Sequence, residues 1–159
     1  MPEVFAATRV PGFNDGMLWD PPETVEELAG PLARARAAWR EARSYQFSID
    51  REGEFAGRIA LRPGDGEGTL DVGYWTLPRF QGQGIMTEAL RAVTALGFET
   101  MGARAITAGY ATWNEASRKV LERAGFRLVR IDPEGFVKGD RAWDEAHLRL
   151  ERDEWAAET

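Results

Sequence analysis

The stretch Arg79-Phe-Gln-Gly-Gln-Gly-Ile-Met-Thr87 follows a strand-like segment, Leu70-Asp-Val-Gly-Tyr-Trp-Thr-Leu77, closed by Pro78, and runs into an amphipathic helix. Ile85, Ala89, Ala92, Val93 and Leu96 recur at helical spacing, while Glu88, Arg91, Ala95 and Glu99 fall on the opposite face. This pattern predicts a helix that begins at the glycines. A helix start carries unpaired N–H donors and the positive end of the helix dipole, so a pyrophosphate can be held there without a Lys or Arg. Gly82 and Gly84 leave the backbone bare enough for a ligand to reach it. The expected cradle is the main chain of Phe80, Gln81, Gly82, Gln83, Gly84 and Ile85, with the Arg79 and Gln83 side chains adding contacts to phosphate.

Two other glycine-rich phosphate loops fail against the letters. A dinucleotide fingerprint needs a third glycine where Thr87 stands, and a nucleotide-triphosphate loop needs Gly-Lys-Ser/Thr, whereas no lysine lies near Gly84. The pattern Arg79-x-x-Gly82-x-Gly84 instead resembles the acyl-coenzyme A signature of the GNAT N-acetyltransferase superfamily. Downstream, Asn114-Glu-Ala-Ser117 opens a second helix that stops at Gly125 and passes into a strand-like run over 126–131. Read as Asn-x-x-Ser-x-x-Val-Leu-Glu-x-x-Gly-Phe, it is similar to the second signature of the family's ribosomal-protein alanine and serine N-acetyltransferase branch. Asp71-Val-Gly-Tyr-Trp matches that branch's strand before the loop, and the run from Asp144 to Glu154-Trp155 resembles its closing strand and tail. The resemblance spans about residues 45 to 155.

The resemblance implies acetyl-coenzyme A as cosubstrate, held by the glycine loop, with the Leu77 main chain meeting the pantetheine amides. It also implies that Ser117 serves the departing thiolate while Asn114 fixes the coenzyme nearby. Many members of the superfamily use a tyrosine further along that helix, but Leu121 stands there, and Tyr110 is the reserve proton donor. Taken by themselves, Asn114 and Ser117 also fit simple helix capping. For deprotonating the acceptor ammonium, Asp71 and Glu134 are the candidate bases. Asp71 shares a strand face with Gly73 and Trp75. His147, the only histidine, reads as part of an exposed edge strand and receives no role.

Composition bounds the reading. At 159 residues the chain is expected to be a single acyltransferase domain over 1–159, and no apolar run approaches the roughly 20 residues that span a bilayer. The first residues carry no basic-then-apolar signal, so a cytoplasmic location is expected. The absence of cysteine excludes a thiol nucleophile, so the acyl group goes directly to the acceptor, the route expected here, or through another residue type, and one histidine with no cysteine gives no basis for a metal site. A net charge of −6 suits a cationic amine acceptor and not direct nucleic-acid capture. The expected acceptor is a primary amine, in particular a protein or peptide N-terminus such as that of a ribosomal protein. The alternatives are a small amine or a non-catalytic acyl-coenzyme A sensor. A homodimer is compatible with the resemblance.

Along the chain, Thr24-x-x-Glu27 reads as a capping box starting a helix whose face includes Val25, Leu28, Leu32, Ala35 and Trp39, with Pro31 interrupting or restarting it. Strands are expected at 45–49 and 55–62 around a turn at 51–54, then at 70–77, 104–110, 126–131 and 143–150. The fold class predicted is α/β: a GNAT-like mixed, mostly antiparallel central sheet with helices on both faces. Residues 1–19 show no copy of the branch's usual opening strand, so its absence is expected.

Overall fold

The computed structural model describes residues 2–158. Its elements, in chain order, are α1 (Pro2–Ala7), α2 (Ala29–Arg40), β1 (Tyr45–Arg51), β2 (Glu54–Pro63), β3 (Thr69–Thr76), α3 (Ile85–Glu99), β4 (Ala105–Ala111), α4 (Glu115–Arg123), β5 (Arg127–Lys138), β6 (Arg141–Glu151) and α5 (Arg152–Glu158). The six strands form one sheet in the order β1-β2-β3-β4-β6-β5, antiparallel except between β3 and β4. This is the mixed, mostly antiparallel sheet expected from the sequence. No helix among the described residues is long and apolar enough to cross a membrane.

The β1–β2 turn is a two-residue connection in which Glu52 (φ 55°) and Gly53 (φ 84°) are both left-handed, the geometry that matches the twist of a hairpin. Asp50 accepts from the Gly53 N–H at 2.8 Å and fastens it. The capping box at Thr24 does not form. Glu27 reaches the N–H of Glu23 instead, a short 3-10 turn covers Glu26–Leu28, and α2 begins only at Ala29. Pro31 falls in the first turn of α2, where its missing N–H costs no intrahelical bond, so it restarts the helix as expected.

α3 packs on the sheet with a face different from the one expected. Ile85, Met86, Leu90, Val93, Thr94, Gly97 and Phe98 are buried, whereas Ala92 is exposed and Ala89 and Leu96 only half-buried. The larger side chains, Leu90 and Phe98, set the buried face against Leu61, Val72 and Ile106, and the small alanines gave misleading weight to a rotated one. Gly97 marks the closest approach, since a Cβ there would lie 2.9 Å from Ile106 Cδ1. Trp155 of α5 stacks on Phe98 with ring centroids 5.3 Å apart, closing this core from the chain's end.

The last two strands are longer than the sequence suggests, and β6 is interior, between β4 and β5. His147 therefore lies within the sheet and not on an edge; β5 is the edge. The chain before Tyr45 contributes no strand among the described residues. Its α1 and following turns instead form a second apolar cluster in which Ala7 and Phe13 meet Ala56, Leu77, Phe80 and Ile85. Phe13 sets its edge against Trp75, 5.9 Å between centroids, on the sheet face opposite α3.

Candidate active site

β3 and β4 pair in register only at Thr69–Ala105, Leu70–Ile106 and Asp71–Thr107, and beyond these three pairs they splay apart. From Val72 to Thr76 the β4-facing side of β3 has no strand partner, while β4 stays paired with β6 up to Ala111. The splay opens a cleft of about 1320 Å³ that runs past the start of α3, the start of α4 and the open face of the sheet.

At one side of the cleft lies the glycine loop. Gly82 (φ 74°) and Gly84 (φ 79°) are left-handed, and a Cβ at either would point into open space. α3 has no side-chain cap, and among the described residues no acceptor takes the N–H groups of Gly82, Gln83, Gly84 or Ile85. Gln83 and Gln81 instead donate backward to the carbonyls of Arg79 (2.8 Å) and Thr76 (3.2 Å), which stiffens the loop without filling it. An array of free amides at a helix N-terminus fits a phosphate-bearing coenzyme.

Across the splay, α4 starts in the opposite manner. Asn114 accepts from the Ser117 N–H at 3.1 Å, a side-chain N-cap. The Ser117 hydroxyl lies 2.9 Å from the Tyr74 hydroxyl, which also reaches the Ser117 carbonyl at 3.3 Å. This bond ties β3 to α4 over the splay. Burial pushes the Tyr74 phenol up, so it stays protonated and remains a hydrogen-bond donor. Tyr110 is buried on β4, lines the same cleft, and is also raised by burial.

Of the residues singled out in the sequence, Asp71, Tyr110, Asn114, Ser117, Phe80, Gln81, Gly82, Gly84 and Ile85 all line this cleft. Leu77, Arg79 and Gln83 do not. The Leu77 N–H donates to Ala56 and its carbonyl accepts from Phe80, so its main chain is already engaged. The Arg79 guanidinium sits over Phe80 and near Glu3 (3.6 Å) and Glu54 (3.5 Å), turned to the protein's own carboxylates. Asp71 is on the open face, paired with Arg62 at 2.5 Å and bonded by Thr107 at 3.3 Å; burial outweighs both and raises its pKa. Glu134 occupies a left-handed position in β5, where its N–H donates to Asp144, and it lies outside the cleft lining.

Three residues in the cleft carried no role in the sequence reading. Tyr74 was hidden inside the Gly-Tyr-Trp strand, and its alternation with Val72 already places it on the α3/α4 side. Glu145 and His147 emerge from β6 on the open face, 3.5 Å apart, with Asp132 3.0 Å from His147. Gly109 makes room for Glu145, since a Cβ there would come within 2.6 Å of its carboxylate. That signal needs the β4–β6 register and is absent from local sequence.

Comparison with known proteins agrees with this geometry. Residues 3–127 match the family model described as an acetyltransferase (GNAT) domain. Two Bacillus subtilis (strain 168) relatives are YnaD, described as an uncharacterized N-acetyltransferase, and YdaF, provisionally named a ribosomal N-acetyltransferase. YnaD is 29% identical over 99 residues, covering 62% of this chain and 58% of its own. YdaF is 31% identical over 108 residues, covering 67% and 59%. The chain thus spans about three-fifths of the length of these curated relatives. Among solved structures, a GCN5-related N-acetyltransferase from Brucella melitensis superposes with a TM-score of 0.81 at 28% identity, over 98% of this chain and 72% of that one. RimL, described as a ribosomal alpha-N-protein acetyltransferase in complex with coenzyme A, shares the fold with a TM-score of 0.84 at 20% identity, over 94% and 87%. By the family model and by its fold, this chain belongs to the GNAT acetyltransferase family.

Proposed function

We propose that the protein is an acetyl-coenzyme A-dependent N-acetyltransferase that modifies the N-terminal amine of a polypeptide by direct transfer, working as one domain over the whole chain. The observation that carries this reading is the pairing, in one cleft, of an uncapped helix start with free amides and a hydrogen-bonded Tyr74–Ser117 pair on the other side of the splay. The description of RimL as a ribosomal alpha-N-protein acetyltransferase, and the provisional name of YdaF as a ribosomal N-acetyltransferase, support a protein acceptor.

When bound, the coenzyme supplies a thioester whose carbonyl the acceptor amine attacks. The amides of Gly82 to Ile85 hold its pyrophosphate, and the unpaired backbone of β3 beside the splay offers hydrogen bonds to its extended arm. Either hydroxyl can donate in the Tyr74–Ser117 pair, and in the arrangement where Tyr74 donates, the Ser117 proton is free to point into the cleft and meet the departing sulfur. On the open face, Asp71, kept basic by burial, and the Glu145–His147 pair are positioned to take the ammonium proton. The variants Asp71→Asn and Glu145→Gln separate them, since only the true base shifts the acidic limb of the rate profile.

The test is incubation with acetyl-coenzyme A and a panel of N-terminal peptides and small amines, read by free thiol release and by the mass of the product. Acetylated peptide N-termini support the reading. Turnover only on small amines overturns the acceptor, and binding without turnover on any amine makes the protein a sensor.

A further inference from the structure

Outside the cleft described above, the molecule carries a second groove of about 350 Å³ between α2 and β1. Its walls include Arg36, Trp39, Arg40, Gln46, Ser48 and Arg58, with three guanidinium groups and no carboxylate. The chain carries a net charge of −6, and Arg62, Arg79, Arg118, Arg127, Arg130 and Arg149 elsewhere on it meet acidic side chains, so a groove with three guanidinium groups is a basic spot on an acidic protein. Among the described residues, no ion pair or hydrogen bond engages Arg36, Arg40 or Arg58. Arg58 is half-buried on β2 opposite Trp75, with its guanidinium carbon 5.9 Å from the Phe55 ring centroid. A desolvated guanidinium without a counter-ion is costly unless a ligand supplies one, and its planar fork suits carboxylates.

The groove adjoins the active-site cleft. Gln46 and Arg58 line both. Neighbouring strands lie about 4.8 Å apart, so β1 is about 10 Å from β3, the span of about three extended residues.

We propose that this groove binds an acidic segment of the acceptor polypeptide, with Asp or Glu side chains about four to six residues after the amine that is acetylated. Arg58 receives the chain as it leaves the catalytic cleft, and Arg36 and Arg40 receive the carboxylates further along, with Trp39 as an apolar wall. This rests on the protein-acceptor reading above and adds a sequence preference to it. α2, which buries no residue fully, is thereby a recognition element more than a core element.

The test uses the whole chain with coenzyme A and a fluorescent peptide whose N-terminus is already acetylated, so that binding is read without turnover. Glutamates at the fourth to sixth positions are compared with glutamines and with lysines. The expected result is about tenfold tighter binding of the glutamate peptide than of the glutamine peptide, weakened by salt and abolished in Arg36→Gln/Arg40→Gln. The charge-reversed Arg36→Glu/Arg40→Glu should gain the lysine peptide. In turnover, the first double variant should raise KM for the acidic peptide alone, leaving kcat and KM for acetyl-coenzyme A unchanged. Equal binding of the three peptides by the wild-type protein overturns the proposal. So does a single-stranded RNA that displaces the glutamate peptide at lower concentration, which would make the groove a nucleic-acid site. Discrimination among peptides with turnover only on small amines would sustain the groove while overturning the N-terminal acceptor.

Discussion

Helices α3 and α4 both begin at the cleft, and they treat their free N–H groups in opposite ways. α4 spends an asparagine side chain on capping, whereas α3 starts at a left-handed glycine and leaves its first amides without any acceptor. A side-chain cap contributes about 1 kcal/mol, so the bare start of α3 forgoes stability that its neighbour retains. The difference underlies the proposed placement of the coenzyme: the helix that has satisfied itself presents a hydroxyl, and the one that has not leaves backbone donors open to an anion.

Four experiments bear on that contrast. The largest effect is expected from Gly82→Asp/Gly84→Asp, which places carboxylates over the free amides. Aspartate tolerates left-handed backbone better than most residues, so the fold should survive while calorimetry shows coenzyme A affinity falling at least about 100-fold. Retained affinity would move the phosphate site elsewhere. Next, Ser117→Ala should cut kcat by about 100-fold with little change in KM for acetyl-coenzyme A, and Tyr74→Phe by about tenfold, as general-acid assistance is lost and then only misdirected. A drop confined to KM would reduce the pair to a positioning role.

Smaller in size, Asn114→Ala should lower the urea-derived stability by about 1 kcal/mol, the loss of one cap. An unchanged midpoint would mean that α4 is held by packing alone. Smallest is a pH effect at Asp71. Burial raises its carboxyl above the ordinary aspartate value of about 4, despite the opposing pull of Arg62 and Thr107. Its contribution to stability is therefore complete below that ordinary value and is lost as pH rises through the elevated folded one. Asp71→Asn should flatten that part of the stability–pH curve, measured by urea midpoints, and an unaltered slope would contradict the assignment.

The glycine loop, the Asn114 cap and the order of strands were legible because each is a local signal: a glycine where φ must be positive, a short polar side chain before a helix, alternation within a strand. The face of α3 was misread because small and large apolar residues shared one helical spacing, and only packing against Ile106 chooses between them. The capping box at Thr24 failed because Glu27 found another donor one residue earlier. Tyr74–Ser117 and Glu145 over Gly109 join residues far apart in the chain: α4 lying against β3 makes the first, and the β4–β6 register the second.

The three-pair contact between β3 and β4 also has a mechanical meaning. It is the seam between a local meander, β1 to β3, and a second unit built from β4, β6 and β5, so the half-sheets can pivot about a very short line of backbone. Amide exchange at Thr69 to Asp71 and Ala105 to Thr107 should therefore slow once a ligand wedges into the gap, registering occupancy from within the sheet and away from every atom that reacts.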